Sequence, residues 1–391
     1  MSFSALLRQE FKAIFSDSAI TLTIIFAVLL YAVLYPLPYN HQVPTEQPII
    51  VIDHDNSTLS RQFILDADAS PKIKIVNKVN SINDAETLIL AGKAKGLLVI
   101  PSNFKRDLFL GKGVTLSYAG DASYMLVYSA VMKGLVVVGL ETGKKMQRIG
   151  LYSKGANKNI ADLNLNPIKL NSVPAFNPSL GYTPYLVPGL FLLILHQTLL
   201  IGIGILGAGQ WGETAGSDYW KTSNAVRFVT IRIIAFFIIY CFLASLYVGY
   251  GYYAYNVSLL AKLSHVLLLL LPFLLSTCAL GVFLSTFFNR RERPTQVFLL
   301  TGTPILFVAG FIWPVNLIPL PLTAFAQIIP AVPSIIAMLK LNQLGAPWES
   351  IFISWLQLWA LFIIFFIAAV YRLKKKQKEH QVLTVSSVQE G

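Results

Sequence analysis

Three residue patterns in this chain suggest chemistry, and each is incomplete. Gly143-Lys144-Lys145 lacks the upstream glycine and the Ser/Thr of a phosphate-binding GxxxxGK[ST] loop. The five histidines show no paired metal-ligand spacing. Asp53-x-Asp55-x-Ser57 lacks the glycine and terminal glutamate of an EF-hand, so a strand end followed by an Asx turn and a helix cap explains it better. The sequence therefore predicts no catalytic or metal site and no cofactor, and ATP hydrolysis is not expected in this chain.

One polar triplet, His196-Gln197-Thr198, lies in the middle of a long apolar run. Polar groups at the bilayer midplane are costly, so they indicate a functional site by default. Hydrogen bonding between helices is the competing explanation. We treat the three residues as candidates for a substrate pathway. No acidic residue lies deep in any apolar run, which argues against a proton relay.

The composition of the chain is that of a membrane protein. Of 391 residues, 55% are hydrophobic and only 13% are charged, and the apolar residues are concentrated in runs near the length of a membrane-spanning helix. The formal net charge of +12 lies largely beside these runs. Anionic lipid headgroups and membrane topology explain such a distribution, so we do not expect nucleic acid as a partner.

The order of apolar and polar segments predicts an α-helical integral membrane protein with six transmembrane helices. An inserted α/β extracytoplasmic domain is predicted between helices 1 and 2. The predicted segments are a cytoplasmic amphipathic helix (1–18), transmembrane helix 1 (19–36), the α/β domain (40–181), transmembrane helices 2–6 (185–371) with a re-entrant segment (314–347), and a basic cytoplasmic tail (372–391).

Alternating strand and helix patterns carry the prediction of an α/β domain. Ser81-x-x-Asp84 is a capping-box pattern that opens one of its helices. The expected strands are Pro48–Asp53, Lys72–Val79, Gly96–Pro101 and Val114–Tyr118, and the expected helices start near Ser57, Ser81 and Asn103.

The stretch Ala122–Leu140 is apolar enough to be a further span. It contains Lys133 near its middle, and a central lysine costs roughly 2.5–3.5 kcal/mol on insertion scales. It also runs without a break into a basic stretch. We interpret it as a long helix packed on the α/β domain, with a seventh span as the alternative.

Charge asymmetry predicts the orientation. Only two basic residues, Lys262 and Lys340, lie in the short segments assigned outside. This asymmetry places both termini in the cytoplasm, which requires an even number of spans. The short segments assigned inside contain thirteen basic residues: Arg8, Lys12, Lys221, Arg227, Arg232, Arg290, Arg291, Arg293, Arg372, Lys374, Lys375, Lys376 and Lys378.

Layout and local motifs together resemble the permease subunits of ABC-2-type exporters. Residues 51–61 are similar to the family's D-x-D-x-S-x-x-S-R stretch, and residues 88–104 are similar to its G-x-x-x-G-x-x-x-I-P-x-x-F stretch. Asn177-Pro178 and Val187-Pro188-Gly189 resemble the entry into span two, and 310–345 resembles the re-entrant region. The similarity covers nearly the whole chain.

The resemblance implies that the loop after span two meets an ATPase. Family members often have E-R-E-x-G-T there, whereas this chain has Gln210-Trp211-Gly212-Glu213-Thr214, in which only Glu213 and nearby small residues match. Tyr219 and Trp220 extend this aromatic segment, which an interfacial anchor would also explain. The charged loop after span four is primarily a topology signal and secondarily a docking contact. The candidate coupling residues are Gln210, Trp211, Gly212, Glu213, Thr214, Arg290, Arg291 and Glu292.

The resemblance also implies a function and partners. The expected function is ATP-driven export across a bacterial inner membrane. A pathway lined by Phe, Leu, Ser and Thr would suit an amphipathic or hydrophobic solute, drug-like or lipid-like. The expected partners are a separate ABC ATP-binding subunit, a second permease forming a homodimer or heterodimer, and membrane lipids. A periplasmic adaptor that contacts the outer domain is a further hypothesis. A non-transporting scaffold or sensor and a secondary transporter are the alternatives.

Overall fold

In a computed structural model the chain divides into two compact units. The helical unit comprises residues 1–42 and 174–391, and the α/β unit comprises residues 43–173. The structure describes residues 2–39, 44–168, 177, 181–211 and 219–389, with side chains described as far as residue 380. The predicted fold class is confirmed, since most of the chain is helical, several helices suit a membrane, and a small α/β domain is inserted early.

The helical unit begins with α1 (Phe3–Phe15) and α2 (Ser18–Tyr39). Leu6, Glu10 and Ile14 are the buried residues of α1. They recur every four positions and therefore lie on one face of the helix, as an amphipathic helix requires. Asp17 caps α2, because its carboxylate accepts hydrogen bonds from the first backbone amides of that helix.

The α/β unit contains a four-stranded sheet in the order β2-β1-β3-β4, with β1 parallel to β2 and β3 and with β4 antiparallel to β3. β4 begins three residues later than the predicted Val114, because Ser117 is the first residue in register with β3. The elements are β1 (Gln47–Asp53), α3 (Thr58–Asp68), β2 (Ile73–Lys78), α4 (Ile82–Leu90), β3 (Gly96–Ile100), α5 (Phe104–Phe109), β4 (Ser117–Gly120), α6 (Met125–Ser153) and α7 (Lys158–Leu165).

Side-chain caps organise the β1–α3 connection. The amides of Asp55 and Asn56 donate to Asp53 Oδ1 at 3.1 and 3.0 Å, which forms the predicted Asx turn. Ser57 and Ser60 then form a reciprocal capping box at the start of α3. The interpretation of this motif as a strand end and helix cap is confirmed.

α6 packs against the sheet of the α/β unit. Its residues Val131 and Leu135 lie in the same buried cluster as Ile49 and Leu98 from the strands. Lys133 is exposed. By length and composition alone α6 is also apolar enough to cross a membrane. Its packing is that of a helix belonging to the α/β unit.

The rest of the helical unit contains eight longer helices in the described chain, besides two three-residue 3₁₀ helices, Val315–Leu317 and Trp348–Ser350. The longer helices are α8 (Tyr182–Trp211), α9 (Tyr219–Thr222), α10 (Ala225–Ala254), α11 (Leu263–Ser285), α12 (Arg293–Val308), α13 (Leu320–Ala326), α14 (Ala331–Gln343) and α15 (Phe352–Gln389). Six helices of the described chain, α2, α6, α8, α10, α11 and α15, are long and apolar enough to cross a membrane.

The predicted fifth span differs from the observed helix. The transmembrane helix expected before the re-entrant segment 314–347 corresponds to α12, which has 16 residues and ends at Val308. It would extend only about 24 Å at 1.5 Å per residue. Gly310 follows the C-cap residue Ala309 with a φ of +82°, the left-handed conformation that commonly ends a helix. α13 and α14 follow as a pair bent by 97°, a geometry that fits the predicted re-entrant segment.

α8 is the central helix of its unit and is buried on nearly every side, as expected of a helix without a polar face. Glycines let its neighbours approach closely. A Cβ on Gly202 would lie 2.5 Å from Ile24 Cγ2 in α2, and a Cβ on Gly207 would lie 2.5 Å from Ser285 in α11. Small residues at helix contacts are typical of membrane bundles.

Candidate functional site

The candidate pathway residues lie on different sides of α8. Gln197 and Thr198 line a cavity of about 250 Å³ between α2, α8 and α12, which we call the Gln197 cavity. His196 is fully buried but is not among the residues that line this cavity. Consecutive residues of an α-helix point in directions about 100° apart, so three neighbours cannot share one face.

The walls of the Gln197 cavity are apolar over most of their area, and seven of the lining residues also carry a hydroxyl or an amide. Neither amide atom of Gln197 has a hydrogen-bond partner in the described chain. Thr198 instead donates to the carbonyl of Ile194 in its own helix at 2.7 Å. The lining residues are Thr23, Ala27, Tyr31, Tyr35, Leu190, Leu193, Ile194, Gln197, Thr198, Ile201, Thr295, Leu299, Gly302, Thr303 and Leu306.

His196 is buried without polar contacts. Both of its ring nitrogens lack a hydrogen-bond partner among the described residues. Leaving buried polar atoms unpaired costs about 1–3 kcal/mol. Helix–helix hydrogen bonding, the competing explanation for the triplet, is therefore not observed for His196 or Gln197 within the described chain. The hydroxyl of Thr198 donates to carbonyls of its own helix.

A second, more polar space adjoins the first. This groove of about 910 Å³, the Asp17 groove, lies where α1 joins α2 and where α12 begins. Arg291 forms an ion pair with Asp17 in its wall, and Glu292 and Gln296 also line it. Thr295 lines both the groove and the Gln197 cavity, so the two spaces follow one another along α2, α8 and α12.

A fully buried ion pair connects α1 with α10. Arg232 Nη2 lies 2.9 Å from Glu10 Oε1, and both side chains are 0% exposed. The guanidinium is also 4.5 Å from the ring centroid of Phe228. Such a pair offsets its desolvation only when further hydrogen bonds satisfy it, and removing one partner is strongly destabilising.

Two further side chains complete this cluster. Arg232 Nη2 donates to Gln210 Oε1, and Gln210 Nε2 lies 2.6 Å from Tyr219 Oη. The Tyr219 hydroxyl donates to Glu10 Oε1 at 3.1 Å. We name Glu10, Gln210, Tyr219 and Arg232 the buried polar cluster. It connects α1, the end of α8, α9 and α10.

The predicted coupling residue Trp211 lies at the edge of this cluster. Its indole Nε1 donates to the carbonyl of Ser285 at the end of α11, at 2.9 Å. Its ring packs edge to face on Trp220, with 5.1 Å between the ring centroids. Trp211 therefore holds the ends of α8 and α11 together. Trp211 and Trp220 are held by contacts within the protein, in addition to any contact with the membrane interface.

The long C-terminal helix α15 reaches the same region. Gln377 Nε2 donates to the carbonyls of Trp220 and Ser223 at 2.6 and 3.0 Å. Lys376 Nζ lies 3.3 Å from Asn289 Oδ1 in the loop before α12. The basic tail is therefore bound to both loops that we predicted as coupling elements.

The remaining coupling candidates are only partly described. Arg290, Arg291 and Glu292 lie together in the loop before α12, and all three are exposed. Gly212, Glu213 and Thr214 lie outside the described residues. The structure thus brings Gln210 and Trp211 into one region and gives no geometry for the centre of that loop. Among the described residues, no group of three His, Cys, Asp or Glu side chains could hold a metal ion.

Sequence reasoning missed the ion pairs of this region. We counted Arg232 only as a topology charge and Glu10 only as part of an amphipathic helix. A signal was present, because Glu10 is four residues from both Leu6 and Ile14 on the apolar face of α1. An acid in that position must be paired if it is buried.

Fold and site together define a multi-span membrane protein with an inserted α/β domain and an internal cavity. The sequence pattern of the ABC-2 family transporter proteins matches residues 18–371. The chain therefore belongs to the ABC-2 transporter family, whose members are membrane components of transporters.

A distant relative is also a transporter. The chain is similar to ABC transporter G family member 20 of Dictyostelium discoideum, with 23% identity over 308 residues. The matched region covers 76% of this chain and 41% of that protein. The chain thus spans less than half of the length of this relative.

Proposed function

We propose that this chain is the transmembrane permease subunit of an ATP-driven ABC exporter. It moves an amphipathic or hydrophobic solute out of the cytoplasm or the inner leaflet. The Gln197 cavity is the observation that carries the proposal, because it combines apolar walls, the rings of Tyr31 and Tyr35, and one amide without a partner in the described chain. Sites for small apolar ligands have this composition.

The proposed pathway runs from the Asp17 groove to the Gln197 cavity. Both spaces are bounded by α2, α8 and α12 and share Thr295. The groove lies among the basic segments that the positive-inside rule assigns to the cytoplasm. Solute enters at the Asp17–Arg291 pair and reaches Gln197 and Thr198. His196, the third candidate, does not line the cavity, and we place it outside the pathway.

ATP hydrolysis is assigned to a separate ABC ATP-binding subunit. Its docking elements are the loop that contains Gln210–Thr214 and the loop that contains Arg290–Glu292. The permease works as a homodimer or with a homologous permease in a bacterial inner membrane, surrounded by lipids and with both termini in the cytoplasm. The α/β unit lies outside, where a periplasmic adaptor contacts it.

The ATPase partner can be tested by copurification. The tagged full chain, purified from its native membrane in mild detergent, is expected to bring a P-loop ATPase with it. Glu213→Arg should lower the recovered ATPase about tenfold if the charge reversal costs the interface about 1.4 kcal/mol. Mass spectrometry of the eluate gives the ratio of ATPase to permease.

The matched control is Glu141→Arg, the same charge reversal at an exposed glutamate of the α/β unit. This variant should recover the ATPase in full. If no ATPase is recovered from any of the three samples, even after crosslinking, the proposal of an ATP-driven exporter is wrong.

The pathway can be tested with neighbouring substitutions in α8. Gln197→Leu should change the export of lipophilic dyes at least fivefold, as expected when about 1 kcal/mol of binding is altered. His196→Leu should leave export unchanged and stabilise the fold by about 1–3 kcal/mol, because it removes two buried nitrogens without partners. Dye efflux and the thermal midpoint of the purified protein are the measurements.

The two variants assign the residues separately. Equal loss of export in both would add His196 to the pathway. Unchanged export in Gln197→Leu would show that the cavity does not contact the solute.

A further inference from the structure

The α/β unit contains an apolar cavity of its own. It measures about 400 Å³ and lies between the sheet and α6, with Leu98 on β3, Leu108 on α5 and Val136 and Leu140 on α6 among its walls. This volume is within the range of about 300–1,000 Å³ that is typical of small-molecule sites. We call it the α6 cavity.

Tyr118 is one of the residues that line the α6 cavity. The hydroxyl of Tyr118 has no hydrogen-bond partner in the described chain. Burial, together with Tyr128 and Asp121 nearby, raises the pKa of Tyr118 to about 12. The hydroxyl therefore stays protonated at neutral pH and can donate a hydrogen bond.

A basic space adjoins the apolar one. A groove of about 690 Å³ shares Leu108 and Gly143 with the α6 cavity. Lys112 and Lys154 line it, and the described lining contains no Asp or Glu. The apolar cavity thus adjoins a surface that attracts anions.

We propose that the α/β unit binds a single-chain anionic lipid. The acyl chain lies in the α6 cavity and the anionic head group lies in the groove between Lys112 and Lys154. Charge complementarity selects this occupant over an uncharged ligand. The apolar cavity matches the acyl chain, and the basic groove matches the anionic head group. The site belongs to the α/β unit alone and does not depend on the proposed export pathway.

A photoreactive probe tests the proposal on the full chain. The protein is placed in nanodiscs of zwitterionic phosphatidylcholine, irradiated with a diazirine analogue of palmitate, and digested. The labelled peptides are identified by mass spectrometry. We expect labelling within residues 98–143, in competition with unlabelled palmitate.

Two matched substitutions on α6 test the apolar part of the site. A Cβ on Gly139 meets no atom within 4 Å, so Gly139→Phe fills the cavity without a clash at the backbone. This variant should lower labelling of the α/β unit at least about tenfold, as loss of most apolar contacts with the chain predicts. Val137→Phe introduces the same phenyl ring at an exposed position of α6 that does not line the cavity, and should label normally.

Two lysine substitutions test the basic part. The double variant Lys112→Gln/Lys154→Gln should weaken competition by palmitate about three- to tenfold, the range expected for two exposed charge contacts. Competition by the uncharged methyl ester should be the same in the variant and the unaltered chain.

Three results would overturn the proposal. The first is labelling confined to the membrane helices, and the second is equal labelling of Gly139→Phe and Val137→Phe. The third is a lysine double variant in which competition by the methyl ester is weakened as much as competition by palmitate. Crosslinking of a protein at the α6 cavity in intact cells, with no labelling by the palmitate probe, would also overturn it in favour of a protein interface.

Discussion

Replacing Glu10 with alanine is expected to destabilise the helical unit by about 3–5 kcal/mol, because it leaves Arg232 charged and buried without its carboxylate. Arg232 is 0% exposed and lies 2.9 Å from Glu10. Gln210 supplies a neutral acceptor but no countercharge. The purified full chain should therefore melt at a clearly lower temperature and accumulate less in the membrane.

Two controls separate loss of the buried pair from loss of any charge. Glu379→Ala removes a glutamate from an exposed pair with Lys375, at 4.0 Å, and should change stability by less than about 1 kcal/mol. The double variant Glu10→Met/Arg232→Met removes both buried charges and should recover much of the loss. Equal melting temperatures of Glu10→Ala and Glu379→Ala would show that the buried pair does not stabilise the helical unit.

Gly202→Leu is expected to separate α2 from α8. The first added carbon would lie 2.5 Å from Ile24 Cγ2 and 3.3 Å from Phe236. Overpacking of this kind costs about 1–3 kcal/mol. Because α2 and α8 form two walls of the Gln197 cavity, dye export should fall together with the melting temperature.

The steric cause has a direct test in compensation. Ile24→Ala removes the atom that a side chain at position 202 meets first, so Gly202→Leu/Ile24→Ala should melt higher than Gly202→Leu alone. Gly249→Ala is the control, since a Cβ there meets no atom within 4 Å and should be tolerated or slightly stabilising. If Ile24→Ala does not raise the melting temperature of Gly202→Leu, the clash with Ile24 is not the cause of the lost stability.

The buried polar cluster gives the proposed coupling a physical basis. A motion imposed on the loop after α8 acts on Gln210, which is hydrogen-bonded to Arg232 on α10 and, through Tyr219, to Glu10 on α1. Because charged hydrogen bonds in a buried site are costly to break, these helix ends should move as one body. This connection rests on the proposed function.

Several features were predictable from sequence because their causes are local. The lengths of the apolar runs indicated membrane helices, since a bilayer sets the length of a span. The Asp53–Ser57 turn and the Ser81–Asp84 cap follow from side chains bonding to amides two or three residues away. The alternation of strands and helices indicated the α/β domain for the same reason.

Other features depended on contacts between distant segments. Glu10 and Arg232 are 222 positions apart, so no local pattern pairs them. The start of β4 is set by its register with β3 and not by its own residues. Whether Gln197 or His196 lines a cavity depends on which helices pack against each side of α8. Hydropathy does not predict this, because α8 is apolar on all sides.

The sequence by itself thus determined which segments are helical, strand-like or suited to a membrane, because hydropathy, period and caps act over a few residues. Only the tertiary structure decided which polar groups are paired and which face a cavity. Burial and ion pairing arise when remote segments pack together, and the same glutamate on a helix is solvated in one packing and fully buried beside an arginine in another.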